Sequence, residues 1–275
     1  MKIGTSQLLD GYERIYMLNG YSMPDDKSTV FKYMPLERFV QSVEKKQLVF
    51  VNPETWYDPF EQLYHGIDCS IKGYKCEDIA CMCVSEKSST NEDASWRVYA
   101  GSNNKTVRLS IEKTVLFALL DDYAKHNDYH VYIGKVNYTF DKNEIMRLHE
   151  KKARHHQDFF PKKMKREHYL SVMLLKRKAF SYENEVRIFL VKDNISFDNK
   201  LVKIDCDYKA NRLVSNVMLS PYPPIREKDD IAYNARQKIN TMESKEIKSV
   251  LKSMLGCRIQ QSLLYKVYPK ISFIN

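Results

Sequence analysis

The chain has 275 residues, 43% of them hydrophobic, with 44 Lys and Arg against 35 Asp and Glu for a formal net charge of +9. That length suits one large domain with a real core, and no apolar run approaches the about 20 residues a membrane span needs. The opening Met1-Lys2-Ile3-Gly4 lacks the apolar stretch of a signal peptide, so the sequence predicts a soluble cytoplasmic protein whose six cysteines are reduced thiols.

Residues 1–29 read as an irregular leader, with turn chemistry at Asn19-Gly20 and around Pro24-Asp25, and residues 30–275 as a single domain. Val30 to Met34 is a short strand ended by Pro35. Leu36 to Lys46 follows as a helix with Phe39, Val40 and Val43 on one face. Leu48 to Val51 is a buried strand leading into a loop rich in Pro and aromatics, Asn52 to Glu61. The next cysteines, Cys69, Cys76, Cys81 and Cys83, are spaced C-x6-C-x4-C-x-C, without the C-x-x-C of a zinc knuckle. Cys81 and Cys83 alternate in an apolar strand, Ile79 to Ser85, and read as core thiols. A helical turn at Ser95 to Gly101, a strand at Val107 to Ile111, a helix at Lys113 to Lys125 and a strand at Val131 to Tyr138 complete the first half.

The charge then concentrates. From Arg147 to Lys178 there are 11 Lys and Arg against three acids, with four histidines interleaved. This stretch reads as a basic helical insertion at about 144–177, two helices broken near Pro161, the second running to about Lys176. Such a block suits a polyanionic partner, either nucleic acid or a phosphorylated ligand, by counterion release and steering; a solvated helix face is the plainer alternative. Arg187 to Lys192 and Lys200 to Cys206 pair as a hairpin. Leu213 to Ser220 is a strand, residues 228–255 are helical in their latter part, and Val267 to Phe273 is a closing strand. Strands dominate and helices separate only some of them. The expected fold is therefore α+β: a mixed, mostly antiparallel sheet core with flanking helices. No G-x-G-x-x-G or Walker loop is present.

The richest chemistry lies in Lys178 to Val191. Two acids, Glu183 and Glu185, run into an apolar strand headed by Arg187, and residues two apart in extended chain share a face. Lys178 is close in sequence. Asp58 and Glu61 follow a buried strand and could share that site, or cap a short helix. Trp96 and Tyr99 stack on one face if helical, as a wall for a base or nicotinamide ring or as ordinary core. Ser85 leaves the cysteine strand as a positioning hydroxyl or a turn residue. A metal-dependent nuclease would use Asp58, Glu61, Glu183 and Glu185; a non-enzymatic nucleic-acid-binding module would keep the Glu-x-Glu-x-Arg face as an ion-pair network.

Taken in order, Phe31-Lys32-Tyr33, Trp56-Tyr57-Asp58-Pro59-Phe60-Glu61, Cys83-Val84-Ser85, Ser95-Trp96-Arg97-Val98-Tyr99-Ala100 and the run from Lys178 through Glu183 and Glu185 to Arg187 resemble a bacterial family, domain of unknown function 2971. Tyr57, Arg97-Val98, Phe180 and Met34 depart from its usual Asn, Ala-His, Trp and Arg. A second analogy is with ADP-ribosyltransferases, which place a basic residue on an early strand, a Ser or Tyr on a later one, and a Glu, often in Glu-x-Glu, on the ribose. That analogy implies an ADP-ribosyltransferase-like fold and NAD as substrate. Glu185 would be the catalytic carboxylate and Glu183 the acid on the acceptor side. Lys32 and Tyr33 would contact the phosphates and adenosine. Ser85, Trp96 and Tyr99 would shape the nicotinamide pocket, with Asp58, Glu61, Lys178 and Arg187 around it. The acceptor would be a nucleic acid held by the 147–178 block, a protein or water. A toxin or antiviral-defence effector is a natural setting, acting as a homo-oligomer or with a protein partner, away from membranes.

Overall fold

A computed structural model of the chain describes residues 4–23, 29–56, 58, 61, 78–86, 94–96, 105–140, 166–221, 244–262 and 264. In chain order these form β1 (Ser6–Leu8), β2 (Ile15–Leu18), β3 (Thr29–Pro35), α1 (Leu36–Glu44), β4 (Gln47–Val51), β5 (Ile79–Ser85), β6 (Thr106–Glu112), α2 (Lys113–Asn127), β7 (His130–Lys135) and β8 (Asn137–Phe140). There follow α3 (Arg166–Val172), β9 (Leu175–Arg177), a 3-10 helix (Lys178–Glu183), β10 (Glu185–Val191), β11 (Leu201–Asp205), β12 (Val214–Leu219) and β13 (Arg258–Gln261). Residues 244–255 are helical.

Eleven strands make one sheet in the order β1-β2-β7-β10-β5-β3-β6-β12-β13, with β4 attached to β5 and β11 to β4. Pairing is antiparallel except at β2–β7 and β12–β13. β8 and β9 form a separate parallel pair. β10 sits inside the sheet, antiparallel to β5 on one side and β7 on the other. All seven of its residues are buried, which is why it reads as a continuous apolar run and not an alternating one.

The two faces of β10 meet different cores. Val186, Ile188 and Leu190 join the larger core, which α1, α2 and the helix at 244–255 cover through Phe39, Leu116, Leu120 and Leu251. Phe189 and Val191 face a second core with Cys81, Tyr132, Tyr169 and Leu170, covered by α3. Glu185 and Arg187 share that second face, by the two-residue pleat, at the end of the strand where the apolar layer stops.

The mixed, mostly antiparallel sheet with flanking helices is as expected, but two details differ. Residues 1–29 are no irregular leader in the described part: β2 pairs with β7 through Ile15↔Val131, Tyr16↔Tyr132 and Met17↔Ile133, and Ile15 and Leu18 are fully buried. β10 and β11 form no hairpin. β10 has neighbours on both sides, so β11 turns away and pairs with β4, from Leu201↔Val51 to Asp205↔Gln47. The second helix of the basic stretch ends at Val172, and Lys176 lies in β9. Residues 141–165 and Val267 to Phe273 lie outside the described residues.

Candidate functional site

The 3-10 helix Lys178–Glu183 stops at Asn184, whose φ of 45° is left-handed, a conformation Asn adopts more readily than most residues. This turn swings Glu183 to the same point as Glu185. Both carboxylates meet the ammonium of Lys176, at 2.7 Å and 2.8 Å. Arg187 donates from Nε to Glu185 at 2.8 Å, and its terminal nitrogens reach the Met173 carbonyl and Glu61. The guanidinium lies over the Trp56 ring, 4.1 Å from its centroid. Tyr138, on β8, accepts the backbone N–H of Glu185 at 2.9 Å. The paired strands β8 and β9 thus hold the acids from one side, and β10 presents them from the other.

Gly134 on β7 makes this approach available. It stands opposite Arg187 in the ladder, and a Cβ there would lie 2.3 Å from Leu174 Cδ1. Without a side chain at 134 the Met173-Leu174 turn comes down onto the sheet, bringing its carbonyl to Arg187 and Lys176 to the glutamates.

Three carboxylates, Glu61, Glu183 and Glu185, therefore share two cations, Lys176 and Arg187, and all five are buried, Arg187 at 1% exposure. Burial and these charges act differently on the two members of Glu-x-Glu. Burial opposes the charge of Glu185, but Arg187 and Lys176 outweigh it and hold its carboxyl well below the usual range. For Glu183 burial dominates, aided by the charge of Glu185, and pushes its carboxyl up to about 7 against the pull of Lys176. Lys176 loses by burial but gains more from the three carboxylates, so it stays charged. The Cys83 thiol, kept protonated by its hydrogen bond with Cys81 and by burial, also bonds to Glu185.

The ladder sets other expected residues beside these. Glu185 faces Ser85, and Ser85 faces Phe31, so the three share one row on one face of the sheet. The Ser85 hydroxyl donates to the Glu183 carbonyl oxygen at 2.5 Å. Tyr33, two residues along β3, lies on the same face. It pairs with Arg108, whose guanidinium lies over the Phe31 ring at 5.1 Å, and it meets the edge of Trp96 at 5.1 Å. Trp96 is buried, and its indole N–H has no hydrogen-bond partner among the described residues.

The model of the family described as Protein of unknown function (DUF2971) matches residues 95–188. The stretch similar to DUF2971 carries Trp96, Tyr138, Lys176, Glu183, Glu185 and Arg187, the larger part of the cluster, while Lys32, Asp58, Glu61 and Ser85 lie before it. No curated protein and no solved structure matches the chain. Nothing in these comparisons supports the ADP-ribosyltransferase analogy.

Some expected residues stand elsewhere. Lys32 pairs with Leu109 of the larger core, so it belongs to the row of Val30 and not to that of Ser85; its ammonium ends on the Cys83 carbonyl oxygen at 3.1 Å. Burial lowers its pKa. Lys178 is exposed, because the 3-10 helix begins there and turns it outward; Lys176 takes the position expected of it. Asp58 pairs with Arg177, at 3.0 Å and 3.3 Å. Tyr99, Cys69 and Cys76 lie outside the described residues. Among the described residues no group of three or more His, Cys, Asp or Glu side chains is arranged to hold a metal ion, so the four acids of the nuclease reading meet Lys176, Arg177 and Arg187 instead. Of the Lys and Arg of the basic block, Arg166, Lys176, Arg177 and Lys178 are described; the first three pair with acids of this chain, and Lys178 is exposed. No helix among the described residues is long and apolar enough to cross a membrane.

Lys176, Tyr138, Gly134 and Arg108 carry no mark of these roles in the sequence, and Trp56 stands there only as part of a motif. Lys176 looked like one more charge in a basic run. Tyr138 reaches Glu185, and Trp56 reaches Arg187, only through the tertiary fold.

Proposed function

We propose that this chain is an enzyme that breaks the nicotinamide–ribose bond of NAD and passes the ribosyl group to a nucleic acid, a protein or water. The observation that carries this reading is the row Glu185–Ser85–Phe31, with Tyr33 and Trp96 on the same face and Glu183 beside it, its carboxyl pushed up by burial while that of Glu185 is held down by Arg187 and Lys176. Cleavage would proceed as the C–N bond breaks and nicotinamide leaves with the bonding pair, so positive charge develops on the ribose. Glu185, held ionised by Arg187 and Lys176, would stabilise such a charge. The acceptor's O–H would form the new bond to the ribose carbon and give its proton to the ionised fraction of Glu183. Two carboxyls driven apart in proton affinity are the usual mark of such a division of labour.

Purified wild type is expected to consume NAD, alone or with added nucleic acid. Glu185→Gln, folded by circular dichroism, is expected to lose about 100-fold or more of that rate, the scale of losing a fixed electrostatic partner. No consumption by wild type under either condition, or an undiminished rate in Glu185→Gln, would overturn the reading.

A second reading is favoured by Arg187, buried and bonded to Glu61, Glu185 and the Met173 carbonyl. There the cluster is a structural ion-pair network. Glu185→Gln would then lose folding stability, since one partner of a buried pair is left behind, and the wild type would leave NAD intact.

A further inference from the structure

We infer that the sheet face carrying Tyr33, Thr106 and Arg108, with Trp96 against it, binds the phosphate groups of an elongated ligand whose other end lies at Glu185. This rests on the reading of Glu185 as an active-site carboxylate, and it names the part of the substrate held further along the same face.

β6 alternates apolar and polar residues. Val107, Leu109 and Ile111 enter the larger core, and the pleat turns Thr106, Arg108 and Ser110 to the opposite face. In an antiparallel sheet such a polar face commonly meets water. Here all three residues are buried, at 1%, 7% and 8% exposure. Buried polar groups nearly always find hydrogen-bond partners, yet two at this place do not. The Thr106 hydroxyl and the indole N–H of Trp96, itself 3% exposed, have none among the described residues. The backbone of Thr106 is satisfied: its N–H donates to Ser220 Oγ at 3.3 Å, and its carbonyl oxygen accepts the N–H of Ser220 at 2.8 Å. What is left over is side-chain capacity alone, as at groups kept for a partner outside the chain.

The donor types define that partner. An indole N–H only donates, and a guanidinium carries N–H groups and no acceptor, so the ligand must bring acceptors. Arg108 adds a positive charge. Its guanidinium lies over the Phe31 ring at 5.1 Å, which sets the plane of a fork suited to phosphate oxygens. Tyr33 stands opposite Arg108 in the ladder and meets the edge of Trp96 at 5.1 Å, joining the indole to the same patch. The span to the acids fits a long ligand. β10, β5, β3 and β6 are neighbours in that order, so Arg108 is three strand spacings from the strand of Glu185, about 14 Å. Phosphates held at Arg108 are clear of the buried carboxylates, and a ribose at Glu185 is the far end of the same molecule. Lys32, expected to hold the phosphates, stands in the row of Leu109 with its ammonium on the Cys83 carbonyl oxygen.

The test is titration calorimetry of the full chain with ADP, inorganic pyrophosphate and adenosine. ADP and pyrophosphate are expected to bind, and adenosine about tenfold more weakly than ADP or worse. Thr106→Val removes the hydroxyl and keeps the branched shape. It should melt at or above wild type, because a buried hydroxyl without a partner disfavours the fold, and yet bind ADP about tenfold more weakly. Arg108→Lys, folded by circular dichroism, keeps the charge and loses the fork, and should weaken ADP binding by about tenfold. Adenosine binding as tightly as ADP, no binding of ADP or pyrophosphate, or a Thr106→Val that melts well below wild type or binds ADP as wild type does would overturn the inference. Phosphate-dependent binding by a protein that leaves NAD intact would sustain the site and discard the glycosidic reaction. NAD consumption with a KM unchanged in both variants would keep the reaction and discard the site.

Discussion

Glu183 and Glu185 are two residues apart, and the fold drives their proton affinities in opposite directions. The spacing was readable: a carboxylate and an arginine at i and i+2 share a face in extended chain, and Glu185 and Arg187 do so on β10. What brings Glu183 in is the left-handed turn at Asn184, for which no pattern of polar and apolar residues gives a signal. Lys176 was hidden for a different reason. A lysine inside a basic run is normally solvated, and only its place in β9 buries it. The raised pKa of Glu183 has a consequence for stability. The folded pKa of Glu183, about 7, lies above the ordinary 4.5, so the folded state binds more protons between these values and its stability falls as pH rises through that window. Glu185 works in the opposite sense. Its depressed pKa stabilises the fold above the ordinary carboxylate range and is lost only in acid. Glu183→Gln removes the first effect and leaves the second. In urea unfolding, the stability of Glu183→Gln relative to wild type is expected to improve by up to about 3 kcal/mol between pH 5 and pH 8. A difference that stays constant with pH would mean that Glu183 is ionised throughout.

Among the elements, strands with strong apolar runs were legible in place and type, and their partners were not. β10 and β11 looked like a hairpin because they are consecutive and separated by turn residues. Neither strand's sequence records that β5 and β7 occupy both edges of β10. Gly134 shows the same limit at a finer grain. In β7 it reads as a weak point in a strand, yet its lack of a side chain is what lets Leu174 and the turn before β9 reach the sheet. Leu174 is itself buried, so it has little room to yield. Gly134→Ala is expected to destabilise the fold by about 1–3 kcal/mol, the range for overpacking a filled core, and to lower NAD turnover by displacing Lys176. Leu174→Ala should restore part of the loss in the double variant, seen as a melting temperature above that of Gly134→Ala alone. If Gly134→Ala melts with wild type, the close approach is not what positions β9.

For the molecule as a whole, the N-terminal segment decides how the site is braced. Its polar turns and short apolar runs read as a leader, because strands of three and four residues carry little periodicity. In the fold it closes one side of the sheet. Asp121 of α2 accepts the backbone N–H groups of Glu13 and Arg14 at 3.0 Å and 2.7 Å. The N–H of Gly4 donates to Asn19 Oδ1 and Ser171 Oγ, and His168 packs where a Cβ at Gly4 would stand. Ser171 and His168 belong to α3, which leads directly into β9 and Lys176. Removing residues 1–18 would therefore do two things at once. It would uncover the β7 edge now paired with β2, exposing unpaired backbone groups and apolar surface, and it would release α3, which holds Lys176 against the glutamates. The truncated chain is expected to lose its cooperative thermal transition or to elute as aggregates on size exclusion, where a dispensable leader would leave a monodisperse protein with unchanged melting. An intermediate outcome, a folded chain that leaves NAD intact, would locate the effect in the path from β2 through α3 to Lys176.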